Sequence, residues 1–214
     1  MRLKHIDYSL YLVTDRRLSR GRSTLEIVTA AVAGGVTCVQ LREKAAATRE
    51  FIEEALKIRD HLRSVNIPLI INDRLDVALA VGAAGVHLGG ADMPPAMARA
   101  VAGNRMIIGI SVESVADARA AEKGGADYLG VSPIFATPTK TDTAPALGTE
   151  GLQAIRQAVR LPLVAIGGLN SSNAADIIRC GADGVAVVSA IVSAADPAQA
   201  ARRLKSVIME ARRT

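Results

Sequence analysis

The sequence predicts an α/β fold, a (β/α)8 barrel of eight parallel strands with outer helices, and three features carry that prediction. Eight short apolar, β-branched runs recur along the 214 residues, Ala- and charge-rich stretches with helical spacing separate them, and a Gly precedes every second run. Such alternation predicts βαβ units with parallel pairing, and eight units in a chain of this length match a small closed barrel. One barrel domain is expected to span residues 1–214.

The predicted strands are Leu10–Asp15, Cys38–Glu43, Pro68–Asp73, Gly85–Gly89, Met106–Ser111, Tyr128–Phe135, Pro162–Gly168 and Gly184–Ala190. Stretches such as "STLEIVTAAVAGG" and "TREFIEEALKIRDHLRS" supply the helices between them. The even strands are entered through "AGGVTCVQL", "GAAGVHLGG", "GGADYLGVS" and "CGADGVAVV", each with Gly where a left-handed helix cap belongs. Three odd strands are entered through longer polar stretches, "SVNIPLIIND", "GNRMIIGIS" and "VRLPLVAIGG". The rival, an open doubly wound sheet, would announce a nucleotide with GxGxxG after its first strand, and "LYLVTDRRLSRG" holds no such pattern.

Half of the residues are apolar, but there are only two Phe, three Tyr and no Trp, so the core must be aliphatic. So few aromatics argue against a single-stranded nucleic acid partner, which needs stacking platforms. The net charge of +5 suits an anionic small molecule, although the C-terminal "ARRLKSVIMEARRT" accounts for much of it. Cys38 and Cys180 are far apart with no CxxC spacing, which fits small buried hydrophobes better than a disulfide or metal pair. The N-terminus lacks a signal-peptide core and no apolar stretch reaches about 18 residues, so a cytoplasmic protein without a membrane partner is expected. The oligomeric state is not legible, and a homo-oligomer is compatible with the sequence.

A barrel of this type carries its active site at the C-terminal ends of its strands. In "VQLREK", alternation puts Gln40, Arg42 and Lys44 on one face, with Val39, Leu41 and Glu43 on the other. An inward row with two cations wants an anion or a set of internal acids, and further donors from other strands favour the anion. "PLIINDR" places Asn72 and Asp73 at the rim, and Asp92 follows the fourth strand. Two carboxylates on neighbouring loops beside a cationic row are the pattern of a Mg²⁺ site completed by substrate phosphate oxygens; each alone would serve as a helix cap. His87, mid-strand, is read as a satisfied core histidine without a role. Ser111 offers a hydroxyl at the fifth strand end, and Gly167 and Gly168 let backbone approach a ligand after the seventh. With "VVSA" after the eighth strand, these loops suit a phosphate monoester. No Ser/His/Asp or Cys/His arrangement is apparent, which argues against covalent acyl chemistry.

After the sixth strand comes "IFATPTKTDTAPALG", far longer than ordinary connections of about two to six residues. Pro138 and Pro145 restrict it, Thr137 and Thr139 can donate hydroxyls, and Lys140 can reach an anion. Such a loop over a barrel mouth reads as a lid that excludes water.

"VQLREK", "IIND", "VHLG" with Asp92 and Pro94, "IGIS", "PIFATPTK" and "AIGG" with "VVSA", in this order, resemble the thiamine-phosphate synthase family over nearly the whole chain. The resemblance implies a barrel enzyme that joins 4-amino-2-methyl-5-(diphosphooxymethyl)pyrimidine to a (carboxy)thiazole phosphate, giving thiamine phosphate and diphosphate. By similarity Gln40, Leu41, Arg42, Glu43, Lys44, Asn72, Ser111 and Lys140 bind the pyrimidine diphosphate, with Arg42, Lys44, Ser111 and Lys140 carrying the chemistry. Asp73 and Asp92 correspond to Mg²⁺ ligands, and Thr137, Pro138, Thr139, Gly168, Val188 and Ser189 to the thiazole phosphate pocket. Gly90 and Ala91 depart from the usual Gln and acid, and Ala136 stands where Pro is frequent; the departures bear on loop stiffness and on contacts behind the carboxylates. A related thiazole tautomerase would need a positioned acid/base, and a non-catalytic phosphate-binding barrel would tolerate loss of either Asp. If Lys140 neutralises the leaving diphosphate, Lys140→Ala lowers the single-turnover chemical step more than it weakens thiazole binding; the reverse pattern refutes that role.

Overall fold

The computed structural model describes residues 6–136 and 145–213. Eight parallel strands, β1 Leu10–Val13, β2 Cys38–Leu41, β3 Leu69–Asn72, β4 Gly85–Leu88, β5 Ile107–Val112, β6 Tyr128–Val131, β7 Leu163–Ala165 and β8 Gly184–Val187, close into a barrel in chain order. The ring shuts where β8 meets β1, with Ala186 opposite Tyr11. Helices α1 Thr24–Ala33, α2 Thr48–Ser64, α3 Leu75–Val81, α4 Pro95–Ala102, α5 Val115–Lys123, α6 Gly148–Ala158 and α7 Ala174–Arg179 each follow a strand. After β8 come two helices, the one-turn α8 Ser189–Val192 and the longer α9 Pro197–Ala211. None of the described helices is long and apolar enough to cross a membrane.

Local chemistry explains the element ends. Ser23 and Glu26 form a reciprocal capping box at the start of α1, satisfying amides that the first turn leaves unpaired. The Gly that precedes each even strand does adopt positive φ: Gly35, Gly82, Gly125 and Gly181 lie between +62° and +103°. The sixth strand is shorter than the expected Tyr128–Phe135, because Pro133 has no N–H to continue the ladder.

Side-chain parity divides the core in two. Outward residues such as Val39, Leu41, Ile71, Val86 and Leu88 pack against the helices in one large aliphatic cluster. Inward residues, including Tyr11, Val13, Cys38, Ile70, Tyr128 and Val164, fill the barrel itself. Cys38 is thus a buried free thiol, and Cys180 is free and half-buried. The Tyr128 ring lies over inward-facing Gly109 of β5, where an added Cβ would fall inside it. Gly109→Ala should therefore overpack the interior and lower unfolding free energy by about 1–3 kcal/mol. In urea this is a lower midpoint at unchanged slope, and an unchanged midpoint contradicts the packing account.

Candidate active site

The C-terminal mouth of the barrel opens on a cavity of about 500 Å³, within the usual range for small-ligand sites. Its wall includes Gln40, Arg42, Lys44, Asn72, Asp73, Asp92, Ser111, Gly168, Val188 and Ser189, so strands two to five and seven to eight deliver their expected residues to one place. Thr137, Pro138, Thr139 and Lys140 lie outside the described residues.

The expected row on β2 divides by parity. Gln40 is buried and its Nε2 donates to the Tyr11 hydroxyl at 3.1 Å. Arg42 and Lys44 follow on the same face. Leu41 and Glu43, grouped with them by resemblance, turn away from the cavity: Leu41 joins the helix-facing core, and the Glu43 carboxylate sits 3.5 Å from the Arg16 guanidinium. Burial, reinforced by nearby Glu54, raises the Glu43 pKa. The side chains of these two residues do not form the anion-facing wall, because strand alternation turns them outward.

Both cations have acidic partners. Arg42 Nη1 donates to Asp15 Oδ2 at 3.1 Å, and the Asp15 side chain is almost wholly buried. Lys44 Nζ lies 2.6 Å from Asp73 Oδ2, with the lysine side chain 58% exposed. The internal-acid and anion-site alternatives therefore coincide: each cation is paired, and each still lines the cavity.

Neither aspartate at the rim caps a helix. The starts of α3 and α4 have no side-chain cap, and Asp92 Oδ2 instead accepts the Gly89 N–H at 2.7 Å. Asp73 occupies the left-handed region at φ 61°, unusual for a residue with a side chain, and turns its carboxylate toward Asp92. Burial first, and then the Asp73 carboxylate beside it, raise the Asp92 pKa, against the opposing pull of the Gly89 N–H. Among the described residues no group of three His, Cys, Asp or Glu could hold a metal by itself. Two crowded carboxylates with hard oxygen donors nevertheless fit a divalent cation that takes its remaining ligands from phosphate and water.

Four further side chains stand at or behind the cavity that the sequence reading did not assign to the site. Asp15 orients Arg42, while Tyr11, Tyr128 and His87 line the cavity floor. His87 Nδ1 is 2.9 Å from the Tyr128 hydroxyl and Nε2 is 2.9 Å from Ser111 Oγ. Inward parity was the available signal, since His87 and Tyr128 each occupy the inward phase of their strands.

A family model described as thiamine monophosphate synthase matches residues 10–191. The chain belongs to that family. A thiamine-phosphate synthase of Chloroflexus aurantiacus is 56% identical over 209 residues, covering 97% of this chain and 96% of the relative. A second, of Syntrophomonas wolfei, is 55% identical over 201 residues, covering 94% and 96%. Among solved structures, a thiamine phosphate pyrophosphorylase of Pyrococcus furiosus superposes with a TM-score of 0.89 at 42% identity, covering 96% of this chain and 98% of that one.

In this synthase-family barrel the Lys44–Asp73 pair is largely solvent-exposed and should contribute at most about 1 kcal/mol to stability. Lys44→Ala is expected to leave the urea midpoint nearly unchanged while weakening inorganic diphosphate binding by about tenfold or more, the loss of one charge-assisted contact. A large stability loss with unchanged diphosphate affinity would make the pair purely structural.

Proposed function

We propose that this chain is a transferase that catalyses thiamine phosphate formation, condensing the aminopyrimidine methyl diphosphate with a thiazole phosphate and releasing diphosphate, and with a carboxylated thiazole releasing CO2 as well. The observation that carries the proposal is the charge balance of the cavity. Arg42 and Lys44 face it with Asp73 and Asp92, so its described ionised walls sum to zero. A polyanion gains a net attractive site there only with a further cation. Asp73 and Asp92 are the residues that would hold Mg²⁺, which when bound supplies charge neutralisation on the diphosphate oxygens.

The chain's own groups do the rest. Arg42, anchored by buried Asp15, presents a fixed guanidinium to the diphosphate. Lys44 adds a movable ammonium, and Lys140 joins them by resemblance. These positive groups favour the state in which negative charge has accumulated on the leaving group. The bond between the methylene carbon and the diphosphate oxygen breaks with its electron pair leaving on oxygen. The pyrimidine amino group feeds electrons toward the methylene carbon, and the thiazole nitrogen then donates the pair that forms the new C–N bond. Gln40 and Asn72 orient the pyrimidine; Gly168, Val188 and Ser189 hold the thiazole phosphate opposite. The protein contributes orientation and charge and no nucleophile.

The tautomerase alternative asks for a histidine free to exchange a proton in the mouth. His87 lines the cavity, but both ring nitrogens face protein hydroxyls, which argues against that role. Incubation of both substrates with Mg²⁺ should release diphosphate stoichiometrically with thiamine phosphate; isomerisation of the thiazole alone would refute the proposal. Calorimetric titration of the pyrimidine diphosphate should show affinity that collapses when Mg²⁺ is chelated. In Asp73→Ala the Mg²⁺ dependence should vanish, with kcat/KM reduced by about 100-fold or more, as for loss of a principal electrostatic contact to the transition state.

A further inference from the structure

Beneath the cavity, side chains from five strands form one hydrogen-bonded chain across the barrel. Gln40 Nε2 donates to Tyr11 Oη at 3.1 Å, and the Tyr11 and Tyr128 hydroxyls are 2.9 Å apart. Tyr128 Oη lies 2.9 Å from His87 Nδ1, and His87 Nε2 lies 2.9 Å from Ser111 Oγ. The two ends, Gln40 and Ser111, both line the cavity and are residues that the family resemblance assigns to the pyrimidine diphosphate. Room for the chain is built into the strands: a Cβ at Gly130 would lie 2.8 Å from His87 Cε1, and one at Gly109 would overlap the Tyr128 ring.

Proton counting gives the chain a direction. Each phenol carries one proton and a neutral imidazole carries one. Burial raises both phenol pKa values well above the ordinary range, so both stay protonated. With the Gln40 amide donating to Tyr11, the Tyr11 proton points to Tyr128 and the Tyr128 proton points to His87 Nδ1. The ring proton then resides on Nε2 and points at Ser111 Oγ. Ser111 accepts there and must direct its own proton elsewhere, while Gln40 keeps its carbonyl oxygen for another partner. The reverse direction would aim a lone pair at an anion and an N–H at an amino group, both repulsive. In a buried setting, aligned hydrogen bonds of this kind polarise one another.

We propose that His87 is a positioning residue. Held as its Nε2–H tautomer by Tyr128, it fixes Ser111 as a hydrogen-bond donor to the departing diphosphate and, along the same chain, Gln40 as an acceptor for the pyrimidine amino group. This inference rests on the transferase reaction proposed above and assigns its orientation to a residue behind the substrate.

The test combines ¹⁵N NMR of the full-length protein with kinetics. With only three histidines in the chain, substitution assigns the His87 signals. The parent should show the neutral Nε2–H tautomer, and Tyr128→Phe, which keeps the ring over Gly109, should lose that preference. Ser111→Ala should lower kcat by about 100-fold as a lost direct donor, and His87→Asn by about 10- to 100-fold as a lost orienting partner. KM for the thiazole phosphate should move less than about threefold in both, and the double variant should be no slower than the slower single variant within about threefold, as expected of coupled neighbours. His87→Gln, which returns an amide N–H toward Ser111, should recover part of the loss. An Nδ1–H tautomer in the parent, or losses that multiply in the double variant, overturns the proposal. Should His87→Asn fail to fold, the tautomer in the parent and in Tyr128→Phe decides it. If the parent releases no diphosphate, the proposed reaction fails and this role with it; an Nε2–H signal would then locate the error in the substrate assignment.

Discussion

Closure of the sheet on itself, with Tyr11 of β1 set against Ala186 of β8, is the constraint from which the rest of the molecule follows. A closed ring removes every free strand edge and commits each residue to one of two environments. Outward positions become aliphatic and bind the helices. Inward positions become a mixed column, polar at the mouth on β2 to β5 and apolar there at the ends of β1, β7 and β8, with Val13, Ile166 and Val188. The interior is narrow, so the large Tyr128 and His87 rings are accommodated only because Gly109 and Gly130 are opposite them. Packing and site geometry are therefore set by the same inward positions.

At the mouth the dominant physics is a near-cancellation of charge. Arg42 is held by an acid that is itself buried, so its direction is fixed before a ligand arrives. Lys44 and Asp73 form an exposed pair at 2.6 Å, which solvent screens and an arriving anion can rearrange. Asp73 and Asp92 crowd one another, a condition relieved by a cation and aggravated by its loss. One fixed charge, one movable charge and one carboxylate pair make a site that is neutral among the described residues, which supports the proposed binding of a polyanion together with a metal.

Much of this was legible from period-two alternation and from glycine placement. All eight strands lie where the apolar runs put them, and the rim residues Gln40, Arg42, Lys44, Asn72, Asp73, Asp92 and Ser111 share one cavity. The side chains of Leu41 and Glu43 turn outward, as alternation along the strand predicts, so any contact they make with a ligand in the cavity would come from their backbone. His87 was set aside because a lone polar residue inside an apolar strand is usually satisfied by its neighbours. It is satisfied, by Tyr128 and Ser111, and those partners are what make it functionally placed.

By itself the sequence determined the barrel, the inward phase of each strand and the chemical types gathered at the rim, because these depend on periodicity along one chain. Tertiary structure alone decided who meets whom: Asp15 with Arg42, Asp73 with both Lys44 and Asp92, and Gln40 linked through two tyrosines and a histidine to Ser111. Those partners lie 19 to 117 residues apart in the chain, and no local pattern encodes such distances. Ring closure and strand register bring them within hydrogen-bonding reach, so their pairing is a property of the closed sheet.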